Sequence, residues 1–252
     1  MEEPLSIILP CFNEEGNIAK TVGAVQAWMQ ERNIRGEIIV VNDGSTDGTG
    51  EILERMQEEQ NPLRVITHRT NLGYGAAVRS GCDAATADII AFMDSDGQFD
   101  PRDFDRLLPF IHTTLTPALS LPAFAKATAG RQRERGCDVV VGRRRKRADP
   151  FLRKINAKLF GLLSWALLGI WVRDMNCAMK VFRRSAWQRA RPVVTTGALF
   201  NAEFFYNLQR AGIRWHQVDV SHYPRRAGKQ TGAQVSVIVK MLRELWVLKR
   251  GS

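Results

Sequence analysis

The sequence predicts an α/β fold in which a mostly parallel central sheet carries helices on both faces. Over the first hundred residues, short β-rich runs alternate with helix-like segments. The β-rich runs are almost continuously apolar, which is typical of parallel strands that are buried on both faces. Acidic and turn-forming residues follow three of these runs. Because ligands of such sheets bind beyond the carboxyl ends of the strands, we expect a ligand site at that edge.

Four strands and three helices are expected in the first hundred residues. The strands are LSIILP (5–10), EIIVVND (37–43), LRVITH (63–68) and DIIAFMD (88–94), with helices between them at about 14–32, 47–59 and 73–86. Asn13 is the expected N-cap of the first helix, because its side chain can accept a hydrogen bond from a free backbone amide. Ser45 or Thr46 is expected to cap the second helix in the same way.

The alternation is interrupted after a helix expected near 102–111. Residues 112–135 are rich in Ala, Thr and Pro without a sustained period, and we expect a flexible insertion there, because long structureless loops are uncommon inside compact domains. Beyond it we expect a strand in CDVVVG, a turn and a strand in RDMNCAMKVFRR, a strand in RWHQVDVSHY, and helices over about 151–170 and 200–212. We therefore predict one domain over 1–232 and a basic amphipathic C-terminal helix over 233–252.

The charge balance of the chain is strongly basic. The formal net charge of +10 predicts attraction to polyanions such as nucleic acid, anionic lipid or phosphorylated substrates. Five consecutive cations lie in GRRRKR (142–147), where they could form a solvated loop or bind an anion. No nucleic-acid-binding motif is recognised, so we expect no nucleic-acid partner. Without a CxxC pair or a signal peptide, the cysteines are expected to be reduced thiols in a cytoplasmic protein.

The longest uncharged apolar stretch is LFGLLSWALLGIWV (159–172). A bilayer-spanning helix needs roughly 20 such residues, so this stretch is too short to span and could be a core helix or an interfacial one. Cations precede it, and Trp165 and Trp171 lie among its leucines. Basic residues beside an aromatic-rich apolar helix suit an anionic membrane surface. Our hypothesis is a membrane-interface helix over 151–172 that rests on the cytoplasmic leaflet.

The acidic stretch DSDGQFD (94–100) follows the last of the four apolar runs. Two carboxylates one residue apart repel each other unless a cation lies between them, and Mg²⁺ or Mn²⁺ binds carboxylates together with substrate phosphates. We therefore expect Asp94 and Asp96 to form half of a metal site that a diphosphate completes. The amide oxygen of Gln98 is a candidate for a further ligand.

Several segments, in their order and spacing, resemble those of family 2 glycosyltransferases, which have the Rossmann-like GT-A fold. The first four are LSIILPCFNEE, EIIVVNDGSTDGT, NLGYGAAVRSG and DIIAFMDSDGQFDP. The later segments DVVVGRR, RDMNCAMKVFRR and YPRRAGKQT are similar to those of dolichol-phosphate mannose synthase and bacterial polyprenyl-phosphate sugar transferases. The resemblance covers essentially the whole chain except 112–135.

This resemblance implies which residues bind the donor and the metal. The residues that would bind the nucleotide are Pro10, Phe12, Glu14, Asp43 and Asp94. Among them, Asp43 would hydrogen-bond the base or the ribose. The cofactor, Mg²⁺ or Mn²⁺, would be bound by Asp94, Asp96 and Gln98, with Asp96 contacting it most directly as a catalytic residue.

The resemblance also implies an acceptor side of the site. Arg144 and Arg225, with Arg153 as a third member, would bind the acceptor phosphate, and Arg225 would be catalytic. Asp174 and Glu203 occupy further acidic positions of the family. We count Asp174 as catalytic, either as a base or as a residue that orients an arginine.

These implications predict a metal-dependent inverting transferase that moves a hexose from a nucleotide sugar, of the GDP-mannose or UDP-glucose type, to a polyprenyl or dolichyl phosphate. The reaction would occur at the cytoplasmic face of an anionic membrane. Many relatives carry C-terminal transmembrane helices, whereas this sequence stops at LWVLKRGS. We therefore expect peripheral membrane attachment or attachment through an integral-membrane partner.

Two alternatives remain open. A glycosyltransferase that acts on a hydroxyl of a surface glycan would need a general base, which Asp174 or Glu203 could supply. A nucleotidyltransferase that builds the nucleotide sugar would share the α/β framework and the metal-binding acids. The Gly-rich strand–loop signature with a following Lys, which would indicate this second class, is not found near residue 10.

Overall fold

The computed structural model describes residues 3–59, 63–111, 137–144, 161, 164–166, 168–197, 199–225, 244 and 247–248. The predicted insertion over 112–135 lies outside the described residues. So do residues 151–160 of the predicted interface helix, and all but three residues of the predicted C-terminal helix over 233–252.

A seven-stranded sheet forms the centre of the molecule. Its strands are β1 (Leu5–Cys11), β2 (Gly36–Asn42), β3 (Leu63–Thr67), β4 (Ile89–Phe92), β5 (Val139–Arg144), β6 (Lys180–Arg183) and β7 (Trp215–Val220). They are arranged in the order β3-β2-β1-β4-β6-β5-β7. Strand β6 runs antiparallel to both of its neighbours, and the other four pairings are parallel. The prediction of a mostly parallel sheet is therefore confirmed.

Helices pack around this sheet. They are α1 (Ile18–Glu31), α2 (Thr49–Glu59), α3 (Tyr74–Ala84), α4 (Phe104–Ile111), α5 (Arg184–Ala190) and α6 (Phe200–Arg210), with a 3-10 turn at Pro101–Asp103. Strands β1 and β4 are buried along their whole length, as parallel strands between two helical layers should be. Gly81 of α3 lies so close to Ile8 that a Cβ would come within 2.2 Å of its Cγ2 atom. Only glycine allows this close approach of helix and strand.

The predicted N-caps of the first two helices are wrong. Helix α1 begins at Ile18 with Asn17 at its N-cap, whereas Asn13 adopts a left-handed conformation with φ of 55°. The Asn13 side chain instead accepts a hydrogen bond from the Thr46 amide at 2.8 Å, and the Ser45 hydroxyl accepts one from the Asn13 amide at 3.0 Å. These polar residues join the loops after β1 and β2, so they are not available to start helices.

The predicted helix over 151–172 ends earlier than expected. Its last described helical residue is Leu168, and Gly169 follows with φ of 69°, a left-handed conformation that commonly terminates helices. The apolar side chains here divide between two environments: Leu168 is buried, whereas Trp165 and Trp171 are 52% and 67% exposed. Within the part of the chain that the structure describes, no helix is long and apolar enough to cross a membrane.

Candidate active site at the carboxyl edge of the sheet

The acidic turn, which is the start of the stretch DSDGQFD (94–100), begins directly where β4 ends. The amide of Met93 still donates to the Ile8 carbonyl at 3.1 Å, which continues the pairing with β1 up to Asp94. Gly97 then adopts φ of 74°, a conformation that other residues rarely take, and the chain reverses. As a result the Gln98 amide donates to the Asp96 carboxylate at 3.0 Å. The turn thus holds both acids at the carboxyl edge of the sheet.

Neighbouring elements fix this turn from two sides. The Ser95 hydroxyl donates to the Pro10 carbonyl at 2.8 Å, and the Thr21 hydroxyl of α1 donates to the Ser95 carbonyl at 3.0 Å. On the other side, the Gln98 side-chain amide donates to the Tyr223 carbonyl at 3.1 Å, and the Tyr223 amide returns a bond of 2.9 Å to the Gln98 carbonyl. The acidic turn is therefore clamped between β1, α1 and the segment that follows β7.

Burial and the neighbouring Asp96 disfavour ionisation of Asp94. Desolvation, followed by the charge of Asp96, raises the pKa of Asp94 to about 7, although Arg144 and Lys180 act in the opposite direction. The buried hydroxyl of Tyr74 lies beside Asp94, and burial and the Asp94 charge raise the pKa of Tyr74. A divalent cation at this position would compensate the charges of the two carboxylates and so favour the ionised form of Asp94.

The donor set at this turn fits a divalent cation that is shared with a phosphate ligand. Asp94, Asp96 and Gln98 offer the hard oxygen atoms that Mg²⁺ and Mn²⁺ prefer. Within the described ranges, no cluster of three or more His, Cys, Asp or Glu side chains that could hold a metal is found. Mg²⁺ commonly binds one or two carboxylates together with substrate phosphates, and the Asp94–Asp96 pair fits this mode.

The Arg225 side chain connects Glu14 and Asp96, two residues that were predicted for different parts of the site. Its guanidinium donates to the Glu14 carboxylate and lies 3.5 Å from the Asp96 carboxylate. Glu14 also accepts a hydrogen bond from the Asn17 side chain at 2.8 Å. Burial raises the pKa of Glu14, whereas Asn17 and Arg225 lower it. A nucleotide-pocket residue, a metal acid and a phosphate-binding arginine, predicted separately, are thus in direct contact.

Arg144 and Asp174 form a second ion pair at this edge. The Arg144 Nε and Nη2 atoms donate to the two Asp174 oxygens at 2.8 and 2.5 Å, and the Arg144 amide adds a bond of 2.9 Å. Both side chains are largely buried. This bidentate pairing favours the arginine-orienting role for Asp174 over the role of base.

Arg143 pairs with Asp219 at 2.5 Å, so the first two cations of GRRRKR are held in ion pairs rather than in a solvated loop.

Asp43 is buried, and both of its carboxylate oxygens accept hydrogen bonds. The His68 Nδ1 atom lies 2.7 Å from one oxygen, and the amides of Leu72 and Gly73 donate at 2.9 and 2.8 Å. The carboxylate therefore shapes the loop before α3, and the predicted bond to the base or ribose would have to be made alongside these contacts. The sequence did not lead us to predict His68 as part of the site, although its position directly after β3 could have indicated it. Its Nε2 atom contacts the Ser80 hydroxyl at 2.9 Å.

The remaining predicted residues have simpler surroundings. Pro10 is buried in β1, and Phe12 follows that strand and is partly exposed. Arg153 lies outside the described residues. The third acid of the stretch, Asp100, accepts a hydrogen bond from the Arg102 amide at 2.9 Å and so caps the following 3-10 turn.

Glu203 was considered only as a possible base, and its contacts are those of a structural clamp. Its carboxylate accepts hydrogen bonds from three consecutive backbone amides, those of residues 193–195, at 2.7, 2.9 and 2.7 Å. The residue is 1% exposed. The carboxylate is thus engaged by the backbone of the segment before α6.

Sheet order and the acidic turn after β4 together define a GT-A type of α/β fold, and comparison with solved structures agrees. Glucosyl-3-phosphoglycerate synthase from Mycobacterium tuberculosis matches with a TM-score of 0.64 and 21% identity, over 98% of this chain and 80% of that chain. Mannosyl-3-phosphoglycerate synthase from Rubrobacter xylanophilus matches with a TM-score of 0.63 and 18% identity, over 96% and 73%. At these identities the likeness concerns the fold.

Sequence comparison gives the family. The model of glycosyl transferase family 2 matches residues 6–190, and this chain belongs to that family. Dodecaprenyl-phosphate galacturonate synthase from Rhizobium johnstonii is 32% identical over 72% of this chain and 48% of its own length. Dolichyl-phosphate beta-glucosyltransferase from Saccharomyces cerevisiae is 28% identical over 94% and 74%. The chain spans about half the length of the first curated relatives that it matches.

Proposed function

We propose that this protein is a metal-dependent inverting glycosyltransferase. It moves a hexose from a nucleotide sugar, of the GDP-mannose or UDP-glucose type, to a polyprenyl or dolichyl phosphate. The names of relatives that act on dodecaprenyl, undecaprenyl and dolichyl phosphates support this acceptor class. The observation that carries the proposal is the arrangement of charges. Arg225 contacts Asp96, and Arg144 acts electrostatically on Asp94, so cations flank the acid pair.

The donor diphosphate binds at the acid pair. Asp94, Asp96 and Gln98 would hold Mg²⁺ or Mn²⁺, which neutralises the charge that develops on the leaving nucleoside diphosphate. Glu14, on the nucleoside side, keeps Arg225 next to this position through their ion pair. Pro10, Phe12 and Asp43 complete the nucleoside pocket; among them, Asp43 also shapes the loop before α3.

The acceptor phosphate is oriented by arginines and needs no strong base. A phosphate monoester is already largely ionised near neutral pH, since its second pKa is about 6. Planar guanidinium groups suit phosphate recognition, and Asp174 fixes the orientation of Arg144 with two parallel hydrogen bonds. Attack from the face opposite the leaving group inverts the anomeric carbon.

Asp174 and Glu203, either of which could serve as the base for a hydroxyl acceptor, are already occupied. Asp174 is paired with Arg144, and the Glu203 carboxylate accepts three backbone hydrogen bonds. This occupancy favours the phosphate acceptor over the alternative of a glycan hydroxyl. The identities of the nucleobase and of the sugar in the donor are left to experiment.

The membrane contact is peripheral in this proposal, at the cytoplasmic face, either direct or through an integral-membrane partner. Trp165 and Trp171 are exposed on either side of Gly169, and exposed tryptophans suit the interface of a lipid bilayer. Flotation with anionic liposomes tests this part. We expect binding at low salt that weakens in the double variant Trp165→Ser/Trp171→Ser; equal flotation of both proteins would count against it.

Label transfer tests the reaction itself. The protein is incubated with Mn²⁺, a short polyprenyl phosphate and a UDP- or GDP-sugar that is labelled in the sugar, and the mixture is then extracted with organic solvent. We expect the label in the organic phase with one donor, and none with Asp96→Asn. In a separate incubation with a nucleoside triphosphate and a sugar 1-phosphate, release of inorganic diphosphate would instead indicate a nucleotidyltransferase. Transfer to a soluble glycan but not to the lipid phosphate would favour the hydroxyl acceptor.

A further inference from the structure

Lys180 is a buried cation with no role in the proposed function so far. It is the first residue of β6 and pairs in register with Phe92, which ends β4 two residues before Asp94. Its exposure is 0%. A buried ammonium group is costly unless its charge is held by partners, so a lysine at such a position needs a reason.

The partners of Lys180 are oxygen atoms and aromatic faces. Its Nζ atom donates to the Cys177 carbonyl and to the Asn201 side-chain oxygen, the latter at 2.9 Å. The same atom lies 5.0 Å from the centre of the Phe92 ring and 5.8 Å from that of Phe205. Cation–π contacts of this kind stabilise a desolvated ammonium group.

Both oxygen partners connect Lys180 to the turn that carries Asp174. The Cys177 amide donates to the Asp174 carbonyl at 2.9 Å and closes this 174–177 turn. The Asn201 side-chain amide donates to the Asn176 side chain at 3.4 Å. Asp174 itself has φ of 53°, a conformation that is unfavourable for a residue other than glycine and persists only where the surroundings fix it.

We propose that Lys180 is a positioning residue for the acceptor phosphate. With Asn201 it fixes the 174–177 turn, the turn fixes the Asp174 carboxylate, and this carboxylate aims the Arg144 guanidinium at the phosphate. The inference rests on the proposed function for its catalytic consequence. The structural part of it, that Lys180 holds the turn, stands on the contacts alone.

The first test is the variant Lys180→Met, which keeps the length of the side chain and removes the charge. Replacing a buried ion by an apolar side chain of similar volume usually preserves folding. We expect kcat/KM for the polyprenyl phosphate to fall about 10- to 100-fold, mainly through KM, because a charge-assisted contact is lost. Donor affinity with Mn²⁺ should change by less than about twofold at pH 8, where Asp94 is largely ionised. Lys20→Met, on the exposed face of α1, is the matched control and should leave both unchanged.

A double-mutant cycle separates positioning from a general structural role. If Lys180 acts through Arg144, Lys180→Met should add less than about threefold to the loss already caused by Arg144→Gln. Multiplication of the two losses, or an equal loss of donor affinity, would overturn the inference. Asn201→Ala provides a second variant, with the same non-additivity and a smaller loss, should Lys180→Met fail to fold.

Hydrogen exchange gives a readout that needs no activity. The Cys177 amide is protected by its bond to the Asp174 carbonyl. We expect Lys180→Met to speed its exchange at least tenfold without substrate, while Lys20→Met does not. Unchanged exchange would refute the role of Lys180 even in an active enzyme. Faster exchange in a protein that transfers no sugar to lipid phosphate would contradict the proposed function instead.

Discussion

Binding of the metal and the donor should depend steeply on pH below neutrality, because Asp94 must lose a proton to bind a cation. Desolvation and the neighbouring Asp96 raise the pKa of Asp94 to about 7 in the metal-free protein. Metal ligands have to be deprotonated, so Mn²⁺ displaces this proton wherever it is present. The perturbation is therefore a change of pH alone, with a nucleotide sugar whose diphosphate stays fully ionised across the range.

The size of the effect follows from the fraction of Asp94 that is ionised. With a pKa near 7, about three quarters of the protein has an ionised Asp94 at pH 7.5 and about 3% at pH 5.5. The apparent affinity for Mn²⁺ and donor should therefore fall about 20- to 30-fold between these two pH values. An Asp at its ordinary pKa of 3.8 would give almost no change over this range.

Titration calorimetry measures both the affinity and the protons released. At pH 6, measurements in two buffers with different ionisation enthalpies should give close to one proton released for each Mn²⁺–donor complex. Asp94→Asn is the control: its weaker binding should lose this pH dependence, whereas Glu14→Gln should keep it. An affinity that is constant from pH 5.5 to 7.5, with no proton released, would refute the reasoning.

Three further predictions concern single charged side chains. Arg225→Gln should lower kcat/KM for the lipid phosphate about 100-fold in initial-rate assays, while donor affinity changes less than tenfold. Equal losses in kcat/KM and in donor affinity would contradict the assignment of Arg225 to the acceptor phosphate. Glu203→Gln should lower the free energy of unfolding by about 2 kcal/mol in urea titrations, since charge-assisted bonds to three amides are weakened; an unchanged midpoint would argue against the clamp. Burial lowers the pKa of Lys180 from 10.5 to about 8, so the folded state binds fewer protons than the unfolded state between these two pH values. The free energy of unfolding of the wild-type protein should therefore rise between pH 8 and 10.5 by more than that of Lys180→Met. If the two proteins show the same dependence of this free energy on pH, the prediction is wrong.

The sheet could be predicted from the sequence because its signal is local. Continuous apolar runs such as LSIILP and EIIVVND indicate strands that are buried on both faces, and each is a strand of the structure within a residue or two. The helix starts could not be predicted, since the polar residues near them bond across the two loops. The amide of Asn13 reaches Ser45, 32 residues away, and this pairing has no signature in either segment.

The candidate site divides in the same way. The acids after β4 could be found because their type, spacing and position after an apolar run are visible in the sequence. The ion pair between Glu14 and Arg225 joins residues 211 positions apart, and no local pattern predicts it. Lys180 was missed for a related reason: on its own, a lysine in a strand indicates an exposed position. Only the packing of α6 and the 174–177 turn over β6 makes it a buried group.

The central claim is that a divalent cation binds between the Asp94–Asp96 pair and the diphosphate of the donor. Electron paramagnetic resonance of Mn²⁺ tests it most directly, with UDP and GDP added in turn and phosphorus hyperfine coupling as the readout. We expect protein-bound Mn²⁺ coupled to phosphorus with at least one of the two nucleotides, and loss of that signal in Asp96→Ala. Absence of bound Mn²⁺ with either nucleotide, or an identical signal in Asp96→Ala, would contradict the claim.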